Sequence, residues 1–280
     1  MKGVDFMFAG ETKNTQLSLL GFGNMGQAIV KGLLRKNIFL PSQIFVFDPA
    51  EDKQQDAKNI GVQVVTHIEE LLNTSHILLV AVKPQMIQSA LQPLTSIIGK
   101  EVLIISIAAG ISIHYYKNLL GHSDLRIVRT MPNTPALVGE GITAISFSEE
   151  CSEQDKILAQ QIFQSVGKTV LVSEEQIDIV TAVSGSGPAY FFYLCECMIE
   201  AGKSLGLSEE IALSLVRQTF YGAASLLING DDLPEVLRAR VTSKGGTTEA
   251  AIKTMEGKNL KSIVIEAIHS AYRRAQELGK

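Results

Sequence analysis

Six residues near the start of the chain, Gly21-Phe22-Gly23-Asn24-Met25-Gly26, have the types and spacing of a phosphate-binding loop. They follow an apolar run, Gln16–Leu20, and open a helical pattern. Here Gly21 permits a tight turn, Gly23 lets the backbone approach a pyrophosphate, and Gly26 lets the helix pack on the strand. The helix N-terminus supplies N–H groups and a positive dipole end. The loop therefore predicts a dinucleotide site, with a glycine-rich turn that binds nothing as the alternative.

An acidic residue follows the next apolar run, Ile44–Phe47. Asp48 comes about 20 residues after the glycine-rich loop, where a carboxylate can bond the ribose hydroxyls of an adenosine. A carboxylate there repels a 2′-phosphate, so Asp48 favours NADH over NADPH. The alternative is that Asp48 and Pro49 only form and cap the turn before the helical pattern from Glu51.

Three further turns follow apolar runs in this half of the chain. Ligands of an open parallel sheet bind beyond the carboxyl ends of its strands, so these turns are predicted to line a coenzyme cleft. The apolar Met131 and Pro132 and the amide of Asn133 suit a nicotinamide, although ordinary turns are the alternative. The residues assigned to the coenzyme here are Ala81, Val82, Lys83, Pro84, Ala108, Ala109, Gly110, Met131, Pro132 and Asn133.

A second glycine-rich turn, Ser243-Lys244-Gly245-Gly246-Thr247-Thr248, precedes a helical pattern late in the chain. Thr247 or Thr248 is the expected N-cap. Free N–H groups at that helix end, together with its dipole, suit a carboxylate ligand. Plain helix capping is the alternative.

Composition narrows the class of protein. The 280 residues are 46% hydrophobic and 19% charged, with a net charge of -4, which excludes disorder for most of the chain. An acidic balance and few aromatic residues argue against nucleic acid, and the longest apolar runs are expected to fall short of a membrane span. Three cysteines and five histidines without metal-ligand spacing predict no disulfide framework, no metal and a reducing, cytoplasmic location.

The apolar runs alternate with helical patterns up to about Ser173, which predicts a mostly parallel sheet covered on both faces. The predicted strands are Gln16–Leu20, Ile44–Phe47, Ile77–Val82, Val102–Ile107, Ile127–Met131, Ile142–Phe147 and Thr169–Val172. The helical patterns between them include Gly26–Arg35, Glu51–Asn59, Pro84–Ile98 and Ile113–Leu119.

From Gln176 onward only helices are predicted: Ala189–Leu205, which is apolar almost all round, then Glu209–Asn229, Glu249–Glu256 and Leu260–Leu278. So much apolar helix surface predicts a dimer, with a monomeric helical core as the alternative. The expected fold class is α/β, a Rossmann-type domain over residues 16–175 followed by an all-α dimerisation domain over residues 176–280. Residues 1–15 are predicted to be a leader, with Met7 as an alternative start.

Taken in order, these segments resemble pyrroline-5-carboxylate reductases. The resemblance extends from about Gln16 to the end of the chain and rests mainly on Arg129–Pro135 and on Val241–Thr248. It implies reduction of (S)-1-pyrroline-5-carboxylate to L-proline by hydride transfer from NADPH or NADH, the last step of proline biosynthesis. The implied partners are a small cyclic imino acid and a second copy of the chain, with an active site at the domain and subunit junction. Higher assembly stays open.

The resemblance also implies roles for individual residues. The N–H groups of Gly246, Thr247 and Thr248 hold the substrate carboxylate, with Ser243 in the same turn, and Thr248 is the catalytic residue that hydrogen-bonds the ring nitrogen. Many members carry Ser or Thr where Asp48 stands, so this chain departs from the family's usual NADPH preference at that position.

Two alternatives stay open. A β-hydroxyacid dehydrogenase or imine reductase opens with a similar loop, but those dehydrogenases carry a Lys early in the helix after a glycine-rich linker. Here no Lys follows Gly185-Ser186-Gly187-Pro188 until Lys203. A non-catalytic dinucleotide sensor would keep the first loop but need not keep Ser243–Thr248.

Overall fold

The computed structural model describes residues 15–73 and 75–279. The predicted leader lies outside the described residues except for Thr15. Eight strands form one sheet: β1 Leu17–Leu20, β2 Ile44–Phe47, β3 Gln63–Val64, β4 Ile77–Val80, β5 Leu103–Ser106, β6 Arg126–Met131, β7 Gly141–Phe147 and β8 Gly167–Leu171. Their order is β3-β2-β1-β4-β5-β6-β7-β8, and every neighbouring pair is parallel except β6 with β7. The predicted strands are all present, and β3 is additional.

The strand register brings the predicted coenzyme turns to one edge. Leu20 pairs with Phe47 on one side and with Val80 on the other, and Val80 pairs with Ser106. Each of these residues ends its strand, so the turns that follow β1, β2, β4 and β5 start side by side.

The central strands β1, β4 and β5 are buried on both faces of the sheet. Successive side chains of a strand point to opposite faces, and here each set lies in an apolar cluster. Leu17 and Leu19 lie in one apolar cluster with Ile29 of the first helix, whereas Leu20 lies in the other cluster with Tyr116. The near-continuous apolar runs of the sequence follow from this double burial.

The helices of the sheet region are α1 Asn24–Arg35, α2 Glu51–Ile60, α3 Ile87–Leu91, α4 Ile113–Leu120, α5 Glu153–Gln164 and α6 Ile177–Val180. The predicted helix over Pro84–Ile98 is wrong as one element. It is a 3-10 turn, the short α3 and a second 3-10 turn, Gln92–Leu94. Pro93 has no N–H to donate and its ring clashes with the preceding turn, so a regular helix cannot continue through it.

A π-helical turn, Thr181–Gly185, follows α6. The remaining helices are α7 Gly187–Ser204, α8 Glu209–Asn229, α9 Pro234–Arg240, α10 Thr247–Gly257 and α11 Leu260–Leu278. The predicted bounds of α8 and α11 agree with the structure, whereas α9 was not predicted.

Residue contacts divide the chain into two compact units. The first comprises the described residues up to 186 together with those from 271 onward, and the second comprises Gly187–Ser270. The predicted division between residues 175 and 176 therefore differs from the contact division. Ile177 and Thr181 are buried in the first unit, so α6 and the π-helical turn belong to it.

Candidate active site

The glycine-rich loop has the shape that a dinucleotide-binding turn requires. Gly21 has φ +97°, and a Cβ built there would lie 2.9 Å from the main chain of Ala81, so only glycine fits. A Cβ on Gly26 would lie 3.0 Å from the carbonyl oxygen of Gly21, which shows how closely α1 packs on the turn. Gly23 differs, since among the described residues no atom lies within 4 Å of a Cβ built on it. The loop is therefore tight at both ends and open in the middle.

The helix end that follows can receive an anion. Gly23 is the N-cap of α1, and no side chain of the described residues caps it. Asn24 is exposed and Met25 is half-buried, whereas the Phe22 side chain is fully buried in the core. The uncapped first turn and the open space at Gly23 fit a pyrophosphate.

Asp48 anchors this loop. Its Oδ2 accepts a hydrogen bond from the Phe22 N–H at 2.7 Å, and its Oδ1 accepts one from the Ala50 N–H at 3.0 Å. Ala50 is the N-cap of α2. Asp48 thus has the turn-capping role that was the alternative interpretation, and it also joins the end of β2 to the glycine-rich loop.

The turns after β4 and β5 continue the same edge. Ala81 N–H donates to the Leu20 carbonyl at 2.8 Å, and Ile107 N–H donates to that of Val80 at 3.2 Å. Beyond these bonds, Val82 and Pro84 are half-buried, and Lys83 is exposed. Lys83 is thus the accessible cation among the residues assigned to the coenzyme.

A buried pair of hydroxyl groups supports the turn after β5 through hydrogen bonds. Ser106 Oγ and Tyr116 Oη lie 2.6 Å apart, and Ser106 Oγ also accepts from the Ala108 N–H at 3.2 Å. Burial raises the pKa of the Tyr116 hydroxyl, which Ser106 and the Arg129 charge only partly offset. Ala108 and Gly110 are buried, and Ala109 is half-buried.

Asn133 has a structural role in addition to the one predicted. Its Nδ2 donates to the Ser184 carbonyl of the π-helical turn at 3.2 Å, and its Oδ1 accepts from the Ile142 N–H at 2.9 Å. Both ends of the amide are therefore bonded within the protein, and the predicted contact with a nicotinamide stays a prediction. Pro132 is buried, and Met131 is half-buried against Gly185.

An ion cluster around the buried Arg129, beside this loop, was missed from the sequence. Arg129 is 4% exposed, and its guanidinium lies 2.5 Å from Asp178 Oδ1 and 3.5 Å from Glu174 Oε1. Glu174 also accepts a hydrogen bond from the Ile113 N–H at 2.6 Å. A charged residue inside an apolar strand was the available signal, since such a group needs buried partners.

The second glycine-rich turn lies in the second compact unit. Gly245 has φ +76°, and its N–H donates to Glu249 Oε2 at 2.8 Å. The prediction of a threonine N-cap is wrong, because Gly246 is the N-cap and α10 begins at Thr247. The Gly246 N–H also donates to the Ser243 carbonyl at 3.0 Å, so the turn itself already uses one of the three predicted carboxylate donors.

Thr247 and Thr248 therefore provide the open end of α10. They occupy its first turn, and no side chain of the described residues caps it. Thr247 and Ser243 are exposed, and Thr248 is half-buried. Across residues 15–73 and 75–279, the Thr248 hydroxyl has no hydrogen-bond partner, so it is available to a ligand.

The second unit exposes a large apolar surface. Only Gly187 of α7 is buried in a single copy of the chain, so the apolar surface from which the sequence predicts a dimer is exposed in one copy. The most exposed apolar side chains of α7, α8 and α11 are Phe191, Phe192, Tyr193, Leu215, Tyr221, Leu226, Ile228 and Ile263. So many exposed apolar side chains on three helices indicate an interaction surface.

One helix of the described chain, α8, is long and apolar enough to cross a membrane by length and composition. No such segment was expected from the sequence, because its uninterrupted apolar runs are short and α8 contains isolated polar residues. A helix that packs in a protein interface has the same composition, so this property alone does not distinguish the two.

The sheet order, the glycine-rich loop and the aligned strand ends define a dinucleotide-binding α/β fold. The comparisons with known proteins make the class an oxidoreductase that uses a nicotinamide dinucleotide. Residues 16–110 match the family model for NADP oxidoreductase, coenzyme F420-dependent, and residues 174–278 match that for pyrroline-5-carboxylate reductase dimerisation. The second match supports self-association.

Relatives that are similar over nearly the whole chain are named pyrroline-5-carboxylate reductase. Pyrroline-5-carboxylate reductase of Pasteurella multocida is 40% identical over 94% of this chain and 98% of its own length. The pyrroline-5-carboxylate reductase of Arabidopsis thaliana is 34% identical over 95% of this chain and 96% of its own length. The chain belongs to the pyrroline-5-carboxylate reductase family, which confirms the resemblance found in the sequence.

Solved structures agree with this assignment. A pyrroline-5-carboxylate reductase from Coxiella burnetii has a TM-score of 0.87 at 38% identity, covering 95% of this chain and 99% of the other. The pyrroline carboxylate reductase of Plasmodium falciparum, solved with NADP bound, has a TM-score of 0.85 at 32% identity with the same coverage. The expected fold class is thereby confirmed.

Proposed function

We propose that the chain reduces (S)-1-pyrroline-5-carboxylate to L-proline with NADPH or NADH as the hydride donor. One observation carries the proposal: a chain similar over nearly its full length to reductases of this name keeps both an open dinucleotide loop and an open helix end at Thr247. A sensor without a reaction would need only the first of these features.

The first unit would hold the coenzyme through main-chain groups. The open Gly23 and the first turn of α1 suit the pyrophosphate, and the turns at Ala81 and Ala108 suit the nucleoside that follows. A bound nicotinamide supplies a hydride at its ring. Because Asp48 bonds two N–H groups, its carboxylate is held at the end of β2. From there it would face the ribose of a bound adenosine.

The second unit would hold the substrate. The N–H groups of Thr247 and Thr248, together with the dipole of α10, would bind the carboxylate of the imino acid. The Thr248 hydroxyl would hydrogen-bond the ring nitrogen and orient it. Gly246 contributes shape to this turn rather than an N–H, since its N–H is bonded to Ser243.

The ring nitrogen must gain a proton as the imine carbon is reduced. A threonine hydroxyl is a weak acid, so water relayed through Thr248 is the proposed proton source. Most of the rate enhancement would then come from holding the two reactants in a fixed geometry.

We also propose that the chain acts as a dimer in the cytoplasm. The exposed apolar side chains of α7, α8 and α11 support the dimer, because a second copy would bury them. The location follows from the biosynthetic reaction and from the three unpaired cysteines.

The test uses purified protein, pyrroline-5-carboxylate, and NADH and NADPH in parallel. Loss of reduced-nicotinamide absorbance with formation of proline is expected. Coenzyme binding without turnover would overturn the proposed reaction. A six-membered cyclic imine assayed beside it would then show whether a related substrate is used, and no turnover of either would favour the sensor.

A further inference from the structure

The end of the chain packs directly on a turn assigned to the coenzyme. Gly110 follows β5 with φ +79°. A Cβ built on Gly110 would lie 2.9 Å from the Leu278 Cβ, 3.0 Å from the Ala275 carbonyl oxygen and 3.1 Å from the Gly279 nitrogen. The last turn of α11 therefore fills the space beside Gly110, one of the residues that the sequence assigns to the coenzyme.

The contact is equally close from the other side. A Cβ built on Gly279 would overlap the Gly110 carbonyl oxygen. Gly279 does not have a positive φ, so its own backbone conformation does not require glycine. Absence of a side chain at both positions instead allows the two backbones to touch.

Ala275 secures the same contact one helical turn earlier. It is 2% exposed, whereas its neighbours Gln276 and Glu277 are exposed. Between this helix end and the strand-end turns lies a cavity of about 180 Å³, lined by Pro84, Gln85, Gln88, Ile111, Tyr115, Leu278 and Gly279. The end of α11 thus borders the segments that follow both β4 and β5.

We propose that residues 275–279 form a positioning element for the coenzyme, which holds the Ala108–Gly110 turn in its binding conformation. A glycine with a positive φ leaves the turn several accessible conformations, and packing against a helix end selects one of them. The inference rests on the proposed function in one respect, that this turn contacts the coenzyme.

The test is Ala275→Leu, whose larger side chain forces the helix end away from Gly110. Gln276→Leu is the matched control, because it adds the same side chain at the exposed neighbouring position. We expect Ala275→Leu to raise the KM and Kd for NADPH about tenfold, with kcat at saturating coenzyme and the KM for the imino acid within twofold of wild type. The control should leave all four constants unchanged.

A chain that ends at Arg274 is the second variant, in case Ala275→Leu fails to fold. It should show the same loss of coenzyme affinity with an unchanged oligomer size. Wild-type NADPH affinity in a folded variant of either kind overturns the inference. NADPH binding is measured by fluorescence in the absence of substrate, so it does not depend on the reaction. If the wild-type protein binds NADPH but does not reduce pyrroline-5-carboxylate, only the proposed reaction is overturned.

Discussion

The carboxylate of Asp48 accepts a hydrogen bond from the Phe22 N–H at 2.7 Å, across 26 residues of chain. The residue that would select between NADH and NADPH is therefore also the one that shapes the phosphate loop. Its charge and its hydrogen bonds have separable consequences.

Asp48→Asn removes the charge but keeps the size. We expect the ratio of kcat/KM for NADPH to that for NADH to rise about tenfold, because a carboxylate no longer repels the 2′-phosphate. Both coenzymes should also bind more weakly, since an amide cannot accept from both the Phe22 and the Ala50 N–H through two oxygens. Asp52→Asn, an exposed acid on α2, is the control. An unchanged ratio would show that Asp48 only anchors the loop.

Thr248→Ala tests the proposed catalytic hydroxyl. We expect kcat to fall about 10- to 100-fold, with the Kd for NADPH unchanged, because one hydrogen bond to a charged transition state is lost. Thr247→Ala keeps the N–H at the adjacent position and should have little effect. Steady-state kinetics with fluorescence titration of NADPH gives both quantities, and unchanged turnover in Thr248→Ala would remove Thr248 from the mechanism.

Asn133→Asp separates the structural role of this side chain from coenzyme binding. An aspartate still accepts from the Ile142 N–H, but it sets a carboxylate oxygen against the Ser184 carbonyl. We expect the free energy of unfolding to fall by about 2 kcal/mol, with NADPH affinity unchanged. Thr134→Ala, exposed in the same loop, is the control. Lost NADPH affinity with wild-type stability would restore the interpretation that Asn133 faces the nicotinamide.

The raised pKa of the buried Tyr116 hydroxyl predicts that the free energy of unfolding falls at alkaline pH. Burial raises its pKa in the folded protein above the value of 10.0 that it has when unfolded. The folded protein thus keeps a proton that the unfolded chain loses, and the stability from Tyr116 declines as the pH rises above about 10.

The comparison with Tyr116→Phe isolates this effect. At pH 8 we expect the variant to be less stable by about 1 kcal/mol, since the bond to Ser106 is lost. Between pH 8 and pH 11 wild type should lose about 1.4 kcal/mol of stability relative to the variant, because only wild type loses stability through this group. The variant should therefore be slightly the more stable of the two at pH 11. Urea unfolding at both pH values provides the measurement, and a constant difference would contradict the pKa direction.

Phe192→Asp tests the proposed dimer. Phe192 is 63% exposed on α7, and a charge buried there by a second copy would be unpaired. We expect light scattering to show a shift toward monomer, with loss of turnover. Leu40→Asp, at a side chain 60% exposed in the first unit, should leave the mass unchanged. An intact dimer with Asp at position 192 would exclude this part of α7 from the interface.

Local patterns predicted most of the fold. The bounds of β2, α8 and α11 agree with the sequence prediction, because each has a long apolar pattern or a clear boundary signal. Pro93 also signals the end of a regular helix, and the predicted helix over Pro84–Ile98 did not take it into account. β3 has only two residues, too few for an apolar pattern to identify.

The sequence by itself determined the sheet-and-helix order and the coenzyme loop, because glycine spacing and apolar periodicity are local properties. The family was indicated by the resemblance of its motifs to those of known reductases. Only the tertiary structure decided that Asn133 bonds Ser184, that Arg129 finds Asp178, and that Gly110 meets Gly279. Each of these pairs joins residues at least 49 positions apart. Such contacts depend on how packed elements bring distant side chains and backbones together, which neither residue encodes alone.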